Sequence, residues 1–287
     1  MEIEVKGHSG CKIDIVRENS DLFIYKSSTD PLYFVRLIKQ AEKQKQAYNW
    51  EYQHVRIPQI YHIKSDDKHV EIKMEYVYSK NFVEYFESAG FEQISYFVKA
   101  LILFIEKELK SCEIIELSSD VIKNKYEDVM LRIESNNNIS SNKKISDIVQ
   151  KSKDIFEHLD RIKIPVGLCH GDLTFSNMLF NGNNYYLIDF LDSFVESPLL
   201  DIVKIRQDSA YLWSQLMYVH EFDELRLKII SDKIDNEIHS YFSRYEWYSK
   251  NYQIFQLMNF LRIIQYANDD KIIDYLIKTI NNIIDEF

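Results

Sequence analysis

The apolar pattern of the chain changes period once, near Phe82, and this change restricts the fold more than any other feature. Before it, short runs rich in β-branched and aromatic residues stand between polar turns, the pattern of strands. Residues 11–16 and 22–26 are two such runs. Asp30-Pro31 then opens a helical stretch to about Trp50, with Asp at the cap and Pro in the first turn as start signals. Residues 59–63 and 70–77, separated by the turn Asp66-Asp67-Lys68, read as a hairpin. The predicted opening is three strands, a helix and two strands. Beyond Phe82, Ile94, Val98, Leu101 and Ile105 recur at helical spacing. Two more helices are predicted over residues 121–134 and 145–159, with a polar, mobile loop at 135–142 between them. Short strands return at 166–169 and 185–189, and everything after Pro198 reads as helix. A strand-rich opening followed by a helix-rich remainder is an α+β organisation. The polar link 78–81 divides it into a part spanning residues 1–77 and a part spanning 78–287.

Composition narrows the function classes. Apolar residues make up 46% of 287, enough for a folded core without metal or disulfide staples. The three cysteines, Cys11, Cys112 and Cys169, are scattered and include no CxxC pair, as expected for a reduced, cytoplasmic protein. The N-terminal residues carry no apolar signal core, and no run is long enough to cross a membrane. A formal net charge of −10 argues against a general nucleic-acid binder, which needs a basic face for phosphates. No HExxH pair, Walker phosphate loop or GxSxG serine elbow occurs.

The chemistry concentrates in His170-Gly171-Asp172-Leu173-Thr174-Phe175-Ser176-Asn177 and, after a Gly182 turn, Leu187-Ile188-Asp189-Phe190. Asp172 opens a loop at a strand end, Asn177 follows five residues later, and Asp189 closes the next hydrophobic strand. Two acids and an amide oxygen can therefore meet at one mouth. Hard oxygen ligands suit Mg2+, which keeps waters and completes its shell with nucleotide phosphates. One carboxylate stays free to accept a proton from an attacking hydroxyl. This is the logic of phosphoryl transfer, in which the protein positions groups and neutralises charge. The spacing follows the protein-kinase signature, an Asn five after the catalytic Asp and a metal-binding Asp before Phe. Gly171 in place of Arg, and Leu191 in place of Gly, point away from protein kinases.

These segments, together with Pro198-Leu199-Leu200-Asp201, resemble the aminoglycoside phosphotransferase and choline kinase superfamily, whose members share an HGDxxxxN loop, an Ile-Asp-Phe element and a downstream Pro-x-x-Asp. The resemblance implies a bilobal, protein-kinase-like fold that binds ATP and Mg2+. It implies Asp172 as the base, His170 as a brace of the loop, Asn177 and Asp189 as metal ligands, and Asp201 as a structural acid. It covers roughly residues 5–205. In its N-terminal half, Gly7, Ser9 and Gly10 stand for a phosphate loop and Lys26 for the phosphate-binding lysine. Glu42, with Glu51 as a rival, is the expected partner of Lys26. Met74-Glu75-Tyr76-Val77 stands for the hinge, with Glu75 and Val77 contacting adenine.

The acceptor is expected to be a small molecule bound between the catalytic loop and the C-terminal helices. The segment 187–208 resembles bacterial members associated with surface-polysaccharide sugar metabolism, which favours a sugar or polyol. A choline, ethanolamine or aminoglycoside acceptor is the alternative, and residues 190–287, with 16 acidic and 10 basic side chains, permit a cation. A pseudokinase scaffold is the alternative of another class. Asp192, Arg206, Asp208, Trp213, Arg262 and Tyr266 are the candidate acceptor residues. Arg262 has two readings, a surface arginine closing its helix with an ion pair, or a buried guanidinium that orients the acceptor.

Overall fold

The computed structural model describes residues 3–6 and 11–287, with side chains from Cys11 onward. The segment holding Gly7, Ser9 and Gly10 lies outside the described residues.

Alternating side chains in the opening strands give a sheet with one face available for a helix. β1 (Ile3–Lys6), β2 (Lys12–Glu18), β3 (Asp21–Ser28), β5 (Ile60–Ser65) and β6 (Val70–Glu75) form that sheet in the order β1-β2-β3-β6-β5, antiparallel throughout. Helix α1 (Pro31–Tyr48) starts where the Asp30 carboxylate accepts the Leu32 N–H at 3.0 Å. It lays Phe34, Leu37 and Ala41 against Ile60, Val70 and Ile72 in a small separate core. The short β4 (Val55–Arg56), which the hydrophobic pattern does not predict, leaves this sheet. It pairs in parallel with β10 (Asn184–Leu187), itself antiparallel to β9 (Met178–Asn181). The strand-rich opening is thus stitched to the segment that follows Asn177.

From Phe82 onward the chain is mainly helical, through α2 (Phe82–Ser88), α3 (Phe91–Leu109), α4 (Ser119–Ser135) and α5 (Lys143–Glu157). After the strands come α6 (Pro198–Ser209), α7 (Trp213–Leu216), α8 (Glu224–Phe242), α9 (Glu246–Ile264) and α10 (Asp270–Ile284). Among the described residues no helix is long and apolar enough to cross a membrane. Helices α2, α3, α6, α8 and α9 share one continuous core. Its aromatic centre packs Tyr85 on Phe180 with centroids 4.3 Å apart, Phe97 against Phe180 at 5.3 Å and Phe86 edge-on to Phe175 at 5.2 Å. Each such pair adds ~0.5–1.5 kcal/mol beyond burial.

Two expectations are corrected. The strand expected at 166–169 is β8 (Ile162–Val166), paired with the unpredicted β7 (Glu113–Leu117). Gly167 leaves that ladder, and its N–H donates instead to the Glu196 carbonyl at 3.0 Å. A Cβ there would lie 2.7 Å from Cys112 Sγ, so only glycine passes this point without a shift. The loop at 135–142, expected to be mobile, is pinned. Asn136 donates to the carbonyls of Gln265 and Ala267, both at 3.1 Å, and Ile139 is fully buried.

Candidate active site

The loop after β8 is held by buried polar groups rather than by regular ladders. Ser197 caps α6, accepting the Leu199 N–H at 3.2 Å and donating to the Pro165 carbonyl at 2.6 Å. One turn in, fully buried Asp201 accepts the backbone N–H groups of His170 at 2.6 Å and Gly171 at 2.7 Å. Burial pushes its carboxyl up to about 7, offset by those two donors and by nearby Lys43. Fully buried Glu108 lies close by and is driven well above the carboxylate range, first by burial and then by Asp201. Burial thus favours the neutral form of Glu108, whereas the two amide donors and Lys43 favour the charged form of Asp201.

His170 is a strut. Its Nε2 faces the Ile188 carbonyl at 2.9 Å and its Nδ1 accepts the Asp172 N–H at 3.2 Å, which places the ring proton on Nε2. Burial lowers its pKa to about 4, so the imidazole is neutral, with the Phe190 ring 4.2 Å away. Gly171 sits at φ +87°, where a Cβ would fall 2.0 Å from the Leu191 carbonyl oxygen. That contact explains why no larger residue precedes Asp172.

Asp172 is half-buried. Its Oδ2 accepts the Asn177 side-chain N–H at 2.9 Å, and the same Nδ2 donates to the Asp172 carbonyl at 2.9 Å. Its Oδ1 lies 3.1 Å from Lys204 Nζ. Burial opposes its charge, yet Lys204, His170 and Asn177 together hold its pKa below the usual value. Lys204 is absent from the sequence-derived candidates. The available signal is its place in α6 three residues after Asp201, on the same helix face.

Across from this loop, Asp189 takes a left-handed conformation, φ +60°, at the end of β10. Such a conformation is uncommon outside glycine and must be held by its surroundings. Its Oδ1 pairs with Lys26 Nζ of β3 at 2.8 Å. The Ile188 N–H donates to the Asn177 carbonyl at 3.1 Å, tying the two candidate metal residues together. Asn177 uses its amide nitrogen on Asp172, which leaves Oδ1 for a cation, and Asp189 has a second oxygen beyond Lys26. This oxygen pair fits Mg2+ completed by water and phosphate. Among the described residues no group of three or more His, Cys, Asp or Glu side chains could hold a metal alone.

Lys26 is not partnered as expected. Glu42 is exposed on the outer side of α1, and Glu51 is exposed in a turn at φ 49°. Helical phase explains the first error, because Gln40, Lys43 and Gln44 take the inward positions of α1. Lys43 bonds the Leu191 carbonyl at 2.6 Å and Glu196 at 2.5 Å, bracing the segment after Asp189. Glu75 ends β6, its N–H donating to the Gln59 carbonyl at 2.9 Å and its Oε2 accepting the Gln59 N–H at 3.1 Å, and Val77 follows in the link to α2.

The acceptor candidates divide. Arg206 is corrected to a structural residue, forked onto Asp235 at 2.8 and 3.0 Å and 4.4 Å from the Tyr252 ring centroid. Asp208 is corrected likewise. Fully buried, it accepts the N–H groups of Phe175 at 2.6 Å and Ser214 at 3.0 Å, so it props the Asn177 turn from below. Asp192, Trp213, Arg262 and Tyr266 instead line one cavity of about 760 Å³, together with Lys204. Of the two readings of Arg262, the surface ion pair is absent among the described residues, and its side chain faces this cavity beside Phe194.

The fold recurs along the whole chain in solved structures. The GDP and kanamycin complex of an aminoglycoside phosphotransferase matches 100% of this chain and 93% of its own, at 15% identity and a TM-score of 0.65. A hygromycin B and AMP-PNP complex of another matches 99% and 93%, at 8% identity and 0.64. A choline/ethanolamine kinase family protein from Mesorhizobium loti matches 99% and 87%, at 14% identity and 0.61. None of the curated proteins matches in sequence. The family model described as "Phosphotransferase enzyme family" matches residues 134–230, the span holding His170, Asp172, Asn177, Asp189 and Asp201. That match over residues 134–230, together with the fold shared over the rest, makes this chain similar to the aminoglycoside phosphotransferases and choline kinases.

Proposed function

We propose that this protein transfers the γ-phosphoryl group of ATP to a hydroxyl of a small sugar or polyol, in the presence of Mg2+. One observation carries the reading. Asp172, held anionic by Lys204 and Asn177, is linked on one side through Lys204 to the 760 Å³ cavity and on the other through Asn177 to the segment of the Lys26–Asp189 pair. Asp172 accepts the proton of an acceptor hydroxyl presented from the cavity, within hydrogen-bond reach. Asp201 and neutral His170 keep the loop backbone fixed while that proton moves, so little reorganisation is needed. Lys26 holds the α- and β-phosphates, and the backbone at Glu75 and Val77 receives adenine. Asn177 and Asp189 hold Mg2+, which when bound supplies charge neutralisation of the phosphates. The resemblance of segment 187–208 to proteins of surface-polysaccharide metabolism supports the sugar preference.

The test is ADP release by the purified protein with ATP and a pool of sugars, polyols and amino alcohols, with Mg2+ or with EDTA. The expected result is release that requires both Mg2+ and an acceptor. A folded, ATP-binding protein that releases no acceptor-dependent ADP would make the pseudokinase alternative the better reading.

A further inference from the structure

The chain carries a formal charge of −10, yet its candidate acceptor cavity is basic. Arg36, Lys125, Arg132, Lys204 and Arg262 line it against the single acid Asp192. The local pairings leave a surplus of positive charge. Lys204 is neutralised by Asp172 at 3.1 Å, and Asp192 lies 3.7 Å from Lys39 at the rim. Lys125 and Arg132 share one carboxylate, Asp128, at 2.7 and 3.5 Å. Arg36 and Arg262 have no carboxylate partner among the described residues.

Arg262 is the informative one. It projects from the last turn of α9, a helix whose other inward residues are mostly apolar, and its guanidinium lies 5.7 Å from the Phe194 ring centroid. The Arg262 side chain is half-buried, and a partly desolvated guanidinium without a carboxylate is favourably matched by an anion. Burial lowers its pKa from the ordinary arginine value, and the charges of Arg36 and Arg132 push the same way. Asp172 and Tyr266 oppose them. Lys204, which lines the same cavity, lies 3.1 Å from Asp172, so a ligand on Arg262 shares its cavity with the lysine that touches the proposed base. Arg132, bonded to the Tyr266 hydroxyl at 3.2 Å, adds a second cation on the α4 side of the cavity.

We propose that the acceptor is an anion, a hydroxyl compound bearing a carboxylate or phosphate that Arg262 grips with its planar fork while the hydroxyl faces Asp172. This deepens the kinase reading and rests on it for the identity of the cavity. It disfavours quaternary ammonium and polyamine acceptors, which this cavity would repel.

The test uses matched compounds, namely glucose, glucosamine, glucuronate and glucose 1-phosphate, with the corresponding C3 and C4 polyols, amines, hydroxy acids and polyol phosphates. Binding is read apart from turnover, by thermal shift of the wild-type protein with Mg2+ and AMP-PNP, and transfer is read by ADP release. An acid or phosphate ester should outperform its neutral and amine counterparts at least tenfold, and the carboxylate and phosphate arms show which anion is taken. Arg262→Gln should erase that discrimination with Mg·AMP-PNP affinity unchanged, and Arg262→Lys should restore part of it. Anions that bind through Arg262 without transfer would sustain this inference and sink the kinase reading. Transfer to a neutral sugar or amine in preference would do the reverse. The proposal also falls if no anion gives a shift that Arg262→Gln removes, or if that variant weakens nucleotide binding instead.

Discussion

The sheet that carries Lys26 and the helical part that carries Asp172 hold their functional groups in different ways. Lys26 stands on β3, over a core of seven buried hydrophobic residues among those described, and its ammonium pairs with Asp189 at 2.8 Å. Asp172 stands on a loop whose amides, imidazole and carboxylates are bonded at nearly every residue, over a core shared by α2–α6 and α8–α10. The proposed base and metal residues are therefore preorganised by the helical part. Lys26, the proposed phosphate-binding lysine, is positioned through its ion pair to that part. The proposed phosphoryl transfer would gain from this division, because charge must be met without reorganisation at the acceptor.

The difference is open to breaking. Phe175→Ala empties the aromatic centre beneath Asn177 and should cost ~3–5 kcal/mol of global stability. Leu37→Ala should cost nearer the lower end of ~2–5 kcal/mol. In hydrogen exchange it should release β3 and β6 amides while leaving α9 protected. Equal loss of protection in both regions would show that they unfold as one unit.

His170 gives a pH test of the buried struts. Its folded pKa of about 4 lies below the unfolded value of 6.5. The unfolded chain therefore binds the proton more readily. The contribution is fully present above pH 6.5 and is lost as pH falls from 6.5 towards 4, amounting to ~3 kcal/mol. Chemical denaturation at pH 7 and pH 4 should show wild type losing that much more than His170→Gln. Parallel pH dependence in the two proteins would mean that the imidazole is not held neutral.

A smaller effect sharpens the contrast. Lys26→Met removes the ion pair between the regions, but Asp189 is 40% exposed, so stability should change by no more than ~1 kcal/mol. ATP affinity should fall clearly in calorimetry. A large stability loss with normal ATP affinity would recast Lys26 as a structural cation.

Much of this division was legible in the sequence. The loop residues His170, Asp172, Asn177 and Asp189 are near in sequence, so their spacing alone carries them to one mouth. Asp201 is legible because it follows a proline-led helix start. The failures share a cause, which is that helical phase decides direction. Glu42 and Lys43 are neighbours, and only packing of α1 shows that Lys43 turns inward. Arg206 and Asp208 look like a site for the same reason that they are structural, being charges on a buried helix. The basic cavity was hidden because residues 190–287 are acidic in sum. Its cations come from α1, α4, α6 and α9, which only the fold brings together.

The central claim is that Asp172 is a base rather than another buried strut. Asp172→Asn keeps size and hydrogen bonding and removes the charge. With the preferred acceptor and saturating Mg·ATP, turnover should fall by ~10²–10⁴ while the Kd for Mg·ATP, measured by calorimetry, stays near the wild-type value. Wild-type turnover in the folded variant would contradict the account, and so would a turnover loss matched by lost nucleotide binding.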